Sequence, residues 1–107
     1  MQNNEIDTIL GEDIKFRGNL SFKKNLKIDG SIKGVIKTGG NLIIGSSGNV
    51  EADVETGTLT VHGSLRGNIV ATKKIDIMKN SRLYGDIKTP DLQIQSGARF
   101  NGNSIME

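Results

Sequence analysis

The sequence predicts an all-β fold: a single-domain, right-handed parallel β-helix (solenoid) of about six rungs with a triangular cross-section. Three observations carry that reading. Leu26, Leu42, Leu59, Ile75 and Leu92 fall 16, 17, 16 and 17 residues apart. Each opens an apolar-x-apolar pair, from Leu26-x-Ile28 to Leu92-x-Ile94, which is the period of a strand and not the threes and fours of a helix. Glycine recurs at matched offsets, since residues 26–36 read LKIDGSIKGVI and residues 59–69 read LTVHGSLRGNI. Self-similarity at a fixed short period means units that cannot bury their own apolar faces and must stack on their neighbours.

Taken in order, residues 1–13 (MQNNEIDTILGED) carry four acids and no base and are expected to be a short, flexible acidic tail. The solenoid follows over 14–105, with a stub at 106–107. Counting back 16 residues from Leu26 places a first, less regular rung at Leu10, with Phe16, Gly18 and Leu20 matching Ile32, Gly34 and Ile36. The two quoted segments are a compact rung format. A second format is longer at its first corner, where Ser46-Ser47-Gly48, Lys79-Asn80-Ser81 and Ser96-Gly97-Ala98 supply turn residues. In that format Leu42, Ile44, Val50 and Val54 match Ile75, Ile77, Leu83 and Ile87, then Leu92, Ile94, Phe100 and Ile105. Three short strand segments and three bends per rung give the triangular section. The crossover rule for parallel strands favours the right hand. Pro90 falls at a corner, Thr89-Pro90-Asp91, where a missing N–H breaks no ladder.

With 107 residues the chain is one domain, and three Phe, one Tyr and no Trp suit a narrow interior of stacked Leu, Ile and Val. The absence of cysteine excludes a disulfide framework and thiolate metal sites. Neither a leader peptide nor a membrane span is legible, so a cytoplasmic location is expected. The net charge of +2 is banded. Lys15, Arg17, Lys23, Lys24, Lys27, Lys33 and Lys37 precede an acidic run of Glu51, Asp53 and Glu55. A solvated outer face accounts for this banding. The functional alternative makes Lys15, Arg17, Lys23, Lys24, Lys27 and Lys33 a lateral or partner contact with a neighbouring filament, a protein or an anionic surface.

No catalytic constellation emerges, and the chain reads as a non-enzyme without cofactor or metal. His62 stands alone at an outward position with no orienting carboxylate or nucleophile nominated beside it. Periods of 16 and 17 do not fit the six-residue beat of hexapeptide acyltransferases. The three alternating carboxylates lack further oxygen donors for a cation. Thr38-Gly39-Gly40-Asn41 lacks the lysine and helix of a phosphate loop. The basic band has no interleaved aromatics, so no specific nucleic-acid binding is expected.

Function is therefore expected at the ends. A solenoid has two open ends, which monomeric relatives of the architecture cover with polar caps. Here the last rung is expected to present Leu92, Ile94, Phe100 and Ile105, and the first rung Phe16 and Phe22, so all three phenylalanines lie in terminal rungs. Plugging of a tapering core is the structural explanation. The functional one is that ends bind each other, forming a filament because no rotation closes a ring. The runner-up function is a small non-polymerising β-helical module that holds a protein or anionic partner on its outer face.

LKIDGSIKGVI, LTVHGSLRGNI and the closing GARFNGNSI together resemble the bactofilins, over about 14–105. The resemblance implies a bacterial cytoskeletal homopolymer, joined end to end without nucleotide, that serves cell shape or scaffolds envelope-associated proteins such as peptidoglycan-modifying enzymes. It also implies a role in polymerisation for a phenylalanine near the C-terminal end, which Phe100 in Gly97-Ala98-Arg99-Phe100-Asn101-Gly102 matches. Several members carry an apolar N-terminal membrane segment. In this sequence only Ile6, Ile9 and Leu10, with Met1, are apolar in the tail, so any contact with the inner face of the membrane is peripheral and rests on many copies along a filament.

Overall fold

The computed structural model describes residues 6–11, 13–22 and 25–106. Its strands are β1 (Ile6–Leu10), β2 (Lys15–Phe22), β3 (Asn25–Ile28), β4 (Ser31–Thr38), β5 (Asn41–Ile44), β6 (Asn49–Val61), β7 (Ser64–Ile77), β8 (Arg82–Thr89), β9 (Leu92–Ile94) and β10 (Arg99–Met106). Every pairing between them is parallel. Register stacks Phe16, Ile32, Val50, Leu65, Leu83 and Phe100 in one column, so the chain makes about five full turns between the first and the last of them. Leu26, Leu42, Leu59, Ile75 and Leu92 form a second column, as their spacing requires.

The columns are the core. Alternation sends every second residue inward, and the stacked neighbour above and below completes its burial. From Leu26 to Ile87 the inward Leu, Ile and Val side chains are at most 2% exposed. Three faces surround them. The first consists of β1, β3, β5, the ends of β6 and β7, and β9. The opening halves of β2, β4, β6, β7, β8 and β10 form the second face, and the closing halves of β2, β4, β8 and β10 with the middle stretches of β6 and β7 form the third.

Between the second and third faces the chain bends within a strand, and there glycine serves on every described rung but one. Gly18, Gly34, Gly67, Gly85 and Gly102 adopt φ between 126° and 142°. A Cβ on Gly85 would lie 2.0 Å from the Gly67 carbonyl oxygen. Ala52 holds the same register position without positive φ, and its methyl points into the core. The long first corners all close alike, with Ile14, Gly48, Ser81 and Ala98 N–H donating to the carbonyls of Gly11, Gly45, Met78 and Gln95. At the third corner buried threonines replace aliphatics and satisfy the backbone. Thr56 Oγ1 donates to the carbonyl oxygens of Gly40 and Thr58, and Thr89 Oγ1 to that of Asp91.

Three expectations need correction. The ladder starts at Ile6 rather than at 14, because β1 pairs with β3, so residues 6–10 of the expected tail belong to the first rung. Residues 1–5 lie outside the described residues. Leu26 is partnered by Thr8, and Leu10 by Ile28, since the first rung uses the long corner and the step back is 18 residues instead of 16. Finally, Ile105 does not continue the column of Val54 and Ile87: Ser104 pairs with Ile87, and Ile105 pairs with the outward Lys88. Phe100 to Ile105 is an odd step, and in a strand one residue of slip changes the side.

Candidate assembly ends and outer faces

At one end β9 pairs only with β7 and β10 only with β8, and at the other β1 pairs only with β3 and β2 only with β4, among the described strands. Each end therefore presents a sheet edge with unused N–H and C=O groups. The apolar columns lose half their cover there. Phe16, Leu20, Leu92, Ala98 and Phe100 are only partly buried against the core, and Ile94 is 47% exposed. Ile105 is 56% exposed on the outer third face, at the rim of the C-terminal end. The backbone of Phe22 pairs with Thr38, and its side chain lies outside what is described. Ile14, 42% exposed beside the first corner, adds to the N-terminal rim. It was expected only as the first residue of the solenoid, and it sits in the corner closed by its own N–H donating to the Gly11 carbonyl. In the apolar N-terminal trio, Leu10 shares register with the core residue Ile28, Ile9 with Lys27, and Ile6 with Asn25.

The basic band does not form one patch. Lys33 pairs with Glu51 at 3.6 Å, Lys37 with Glu55 at 3.6 Å, and Arg66 reaches the other oxygen of Glu51 at 4.0 Å. Register brings the basic run directly against the acidic run one turn later. Lys15 and Arg17 are exposed on the second face, Lys27 is half-buried on the first, and Lys23 and Lys24 lie outside the described residues. His62 lies at a compact corner, its backbone N–H donating to the Ile44 carbonyl. Among the described residues no group of three His, Cys, Asp or Glu could hold a metal ion, and no helix is long and apolar enough to cross a membrane.

A parallel solenoid with apolar columns uncovered beside free sheet edges at both ends belongs to the class of stacking structural repeat proteins. The bactofilin family model, described as polymer-forming cytoskeletal, matches residues 8–105. Bactofilin BacO of Myxococcus xanthus is 40% identical over 101 residues, covering 94% of this chain and 80% of that protein. Bactofilin BacP of the same organism is 33% identical over 100 residues, covering 94% of this chain and 42% of the relative. The Thermus thermophilus bactofilin seen by cryo-EM in double helical filaments superposes with a TM-score of 0.86 at 31% identity, over 94% of this chain and 99% of that one. The cytoskeletal bactofilin BacA solved by solid-state NMR superposes with a TM-score of 0.84 at 31% identity, over 92% and 94%.

The chain belongs to the bactofilin family of polymer-forming cytoskeletal proteins. Membership favours the self-assembling reading over the small binding module.

Proposed function

We propose that this protein polymerises end to end into filaments without a nucleotide, through junctions formed by Phe16 and Phe22 at one end and Leu92, Ile94, Phe100 and Ile105 at the other. The observation that carries this is the loss of cover at the last rung: Ile77 is 0% exposed, and Ile94, its register neighbour one turn on, is 47% exposed. Stacking a second copy there returns apolar area to the interior and pairs the free strand edge. The association cost is of the same order, so assembly is concentration-dependent. Phe100 anchors the junction because it packs on the core yet keeps part of its ring uncovered. The filament scaffolds envelope-associated proteins, peptidoglycan-modifying enzymes among them, and lies in the cytoplasm near the inner face of the membrane. The family's cytoskeletal character and the Thermus filaments support this reading.

The test is negative-stain microscopy and sedimentation of wild type and Phe100→Arg at equal concentration, with and without ATP or GTP. Thin filaments in wild type regardless of nucleotide, and dispersed particles with unchanged far-UV circular dichroism in the variant, are expected. Filaments in the variant would remove Phe100 from the junction. A nucleotide requirement would refute stacking as the driving force.

A further inference from the structure

Register gathers onto one face charges that are scattered along the chain. Outward positions of the second face form two columns: Lys15, Ser31, Asn49, Ser64, Arg82 and Arg99 in one, and Arg17, Lys33, Glu51, Arg66, Tyr84 and Asn101 in the other. All four arginines of the sequence lie there, with two lysines and a single acid. Glu51 is held by Lys33 and Arg66. Lys15, Arg17, Arg82 and Arg99 are exposed and make no ion pair among the described residues. The third face differs: its outward columns hold Asp53, Asp86 and Glu55 against Lys37 and Lys88.

We infer that the second face is a docking surface for a phosphate-bearing lipid bilayer. Guanidinium groups suit this partner, since they donate in pairs to phosphate oxygens and part with water more readily than ammonium groups. The form of the face selects a membrane over nucleic acid. It is one side of a parallel sheet with two outward side chains per strand, so a surface of headgroups meets the same pair of columns on every rung, whereas the phosphates of a duplex wind away from them around its helix axis. No free aromatic offers a base a stacking surface, because the one ring on the face, Tyr84, lies 5.4 Å beneath the Arg66 guanidinium. The surface is separate from the apolar N-terminal residues and needs no insertion. It rests on the polymer reading only for avidity, since stacked copies aligned on this face multiply a weak contact.

The experiment is flotation of wild-type protein with vesicles of phosphatidylcholine alone or mixed with phosphatidylglycerol. Arg66→Gln/Arg82→Gln is set beside Lys37→Gln/Lys88→Gln, which removes equal charge from the third face. Wild type and the lysine variant should float with anionic vesicles only and release as salt rises from about 0.1 M to about 1 M. The arginine variant should partition roughly thirty-fold less per subunit. Equal flotation of both variants, or none by wild type, would overturn the assignment. Displacement from vesicles by an equal phosphate concentration of duplex DNA would overturn it in favour of nucleic acid. Microscopy of the same samples reports filaments separately, so failure of polymerisation and failure of this face are told apart.

Discussion

Ile77 and Ile94 are the same residue in the same column one turn apart, and they differ in one respect: Ile77 has a rung on both sides and Ile94 on one. Exposure rises from 0% to 47% between them. Leu83 and Phe100, in the adjacent column, repeat the contrast, with Leu83 at 0% and Phe100 partly buried. An inward position in a solenoid is therefore only half a burial site until the next rung arrives, and an end rung has half of its stabilisation still to gain.

The largest effect is expected from Ile77→Ala, which leaves a cavity walled on both sides. It should cost about 2–5 kcal/mol, read from denaturant unfolding of dilute subunits. Gly85→Ala follows, at about 1–3 kcal/mol, because φ is +126° and the added methyl meets a carbonyl oxygen at 2.0 Å. The converse change in the same column, Ala52→Gly, should cost about 1 kcal/mol or less, which tests whether the clash or the column matters. Ile94→Ala should lower the stability of dispersed subunits by less than about 1 kcal/mol, yet raise the concentration needed for polymer about tenfold, as sedimentation would show. If Ile94→Ala unfolds the subunit as badly as Ile77→Ala, the end rung is not half-covered. The smallest effect belongs to Glu51→Gln, within about 1 kcal/mol, since its partners Lys33 and Arg66 are mostly solvated. Thermal melts at low and high salt would measure it.

Inward positions were legible because burial enforces alternation: the Leu26 column from Leu26 to Leu92 and the glycines at 18, 34 and 67 all fall where the repeat puts them. Errors arose where the repeat changes length or loses a partner. The long corner at Gly11–Ile14 hid the strand at Ile6–Leu10. At the last rung Ser104 took a core register that an apolar residue was expected to fill, and the nearest candidate, Ile105, was one residue too far. Outer faces were the least legible. Steps between aligned residues vary from 15 to 18, as from Val50 to Leu65 and from Leu65 to Leu83, so Arg17, Arg66, Arg82 and Arg99 look unrelated along the chain. The same variation sets Lys33 against Glu51, which turned an apparent basic band into alternating charge.

The nearly constant step of the register also bears on how the chain folds. Parallel sheets ordinarily wait on distant strands and are slow to form. Here each strand meets its partner one turn away, so every new rung closes a loop of similar size, at an entropic cost of about 2.5 kcal/mol. That cost does not grow with the number of rungs already in place. Once a first pair of rungs has formed, the chain can zip outward in either direction, each finished rung serving as the template for the next.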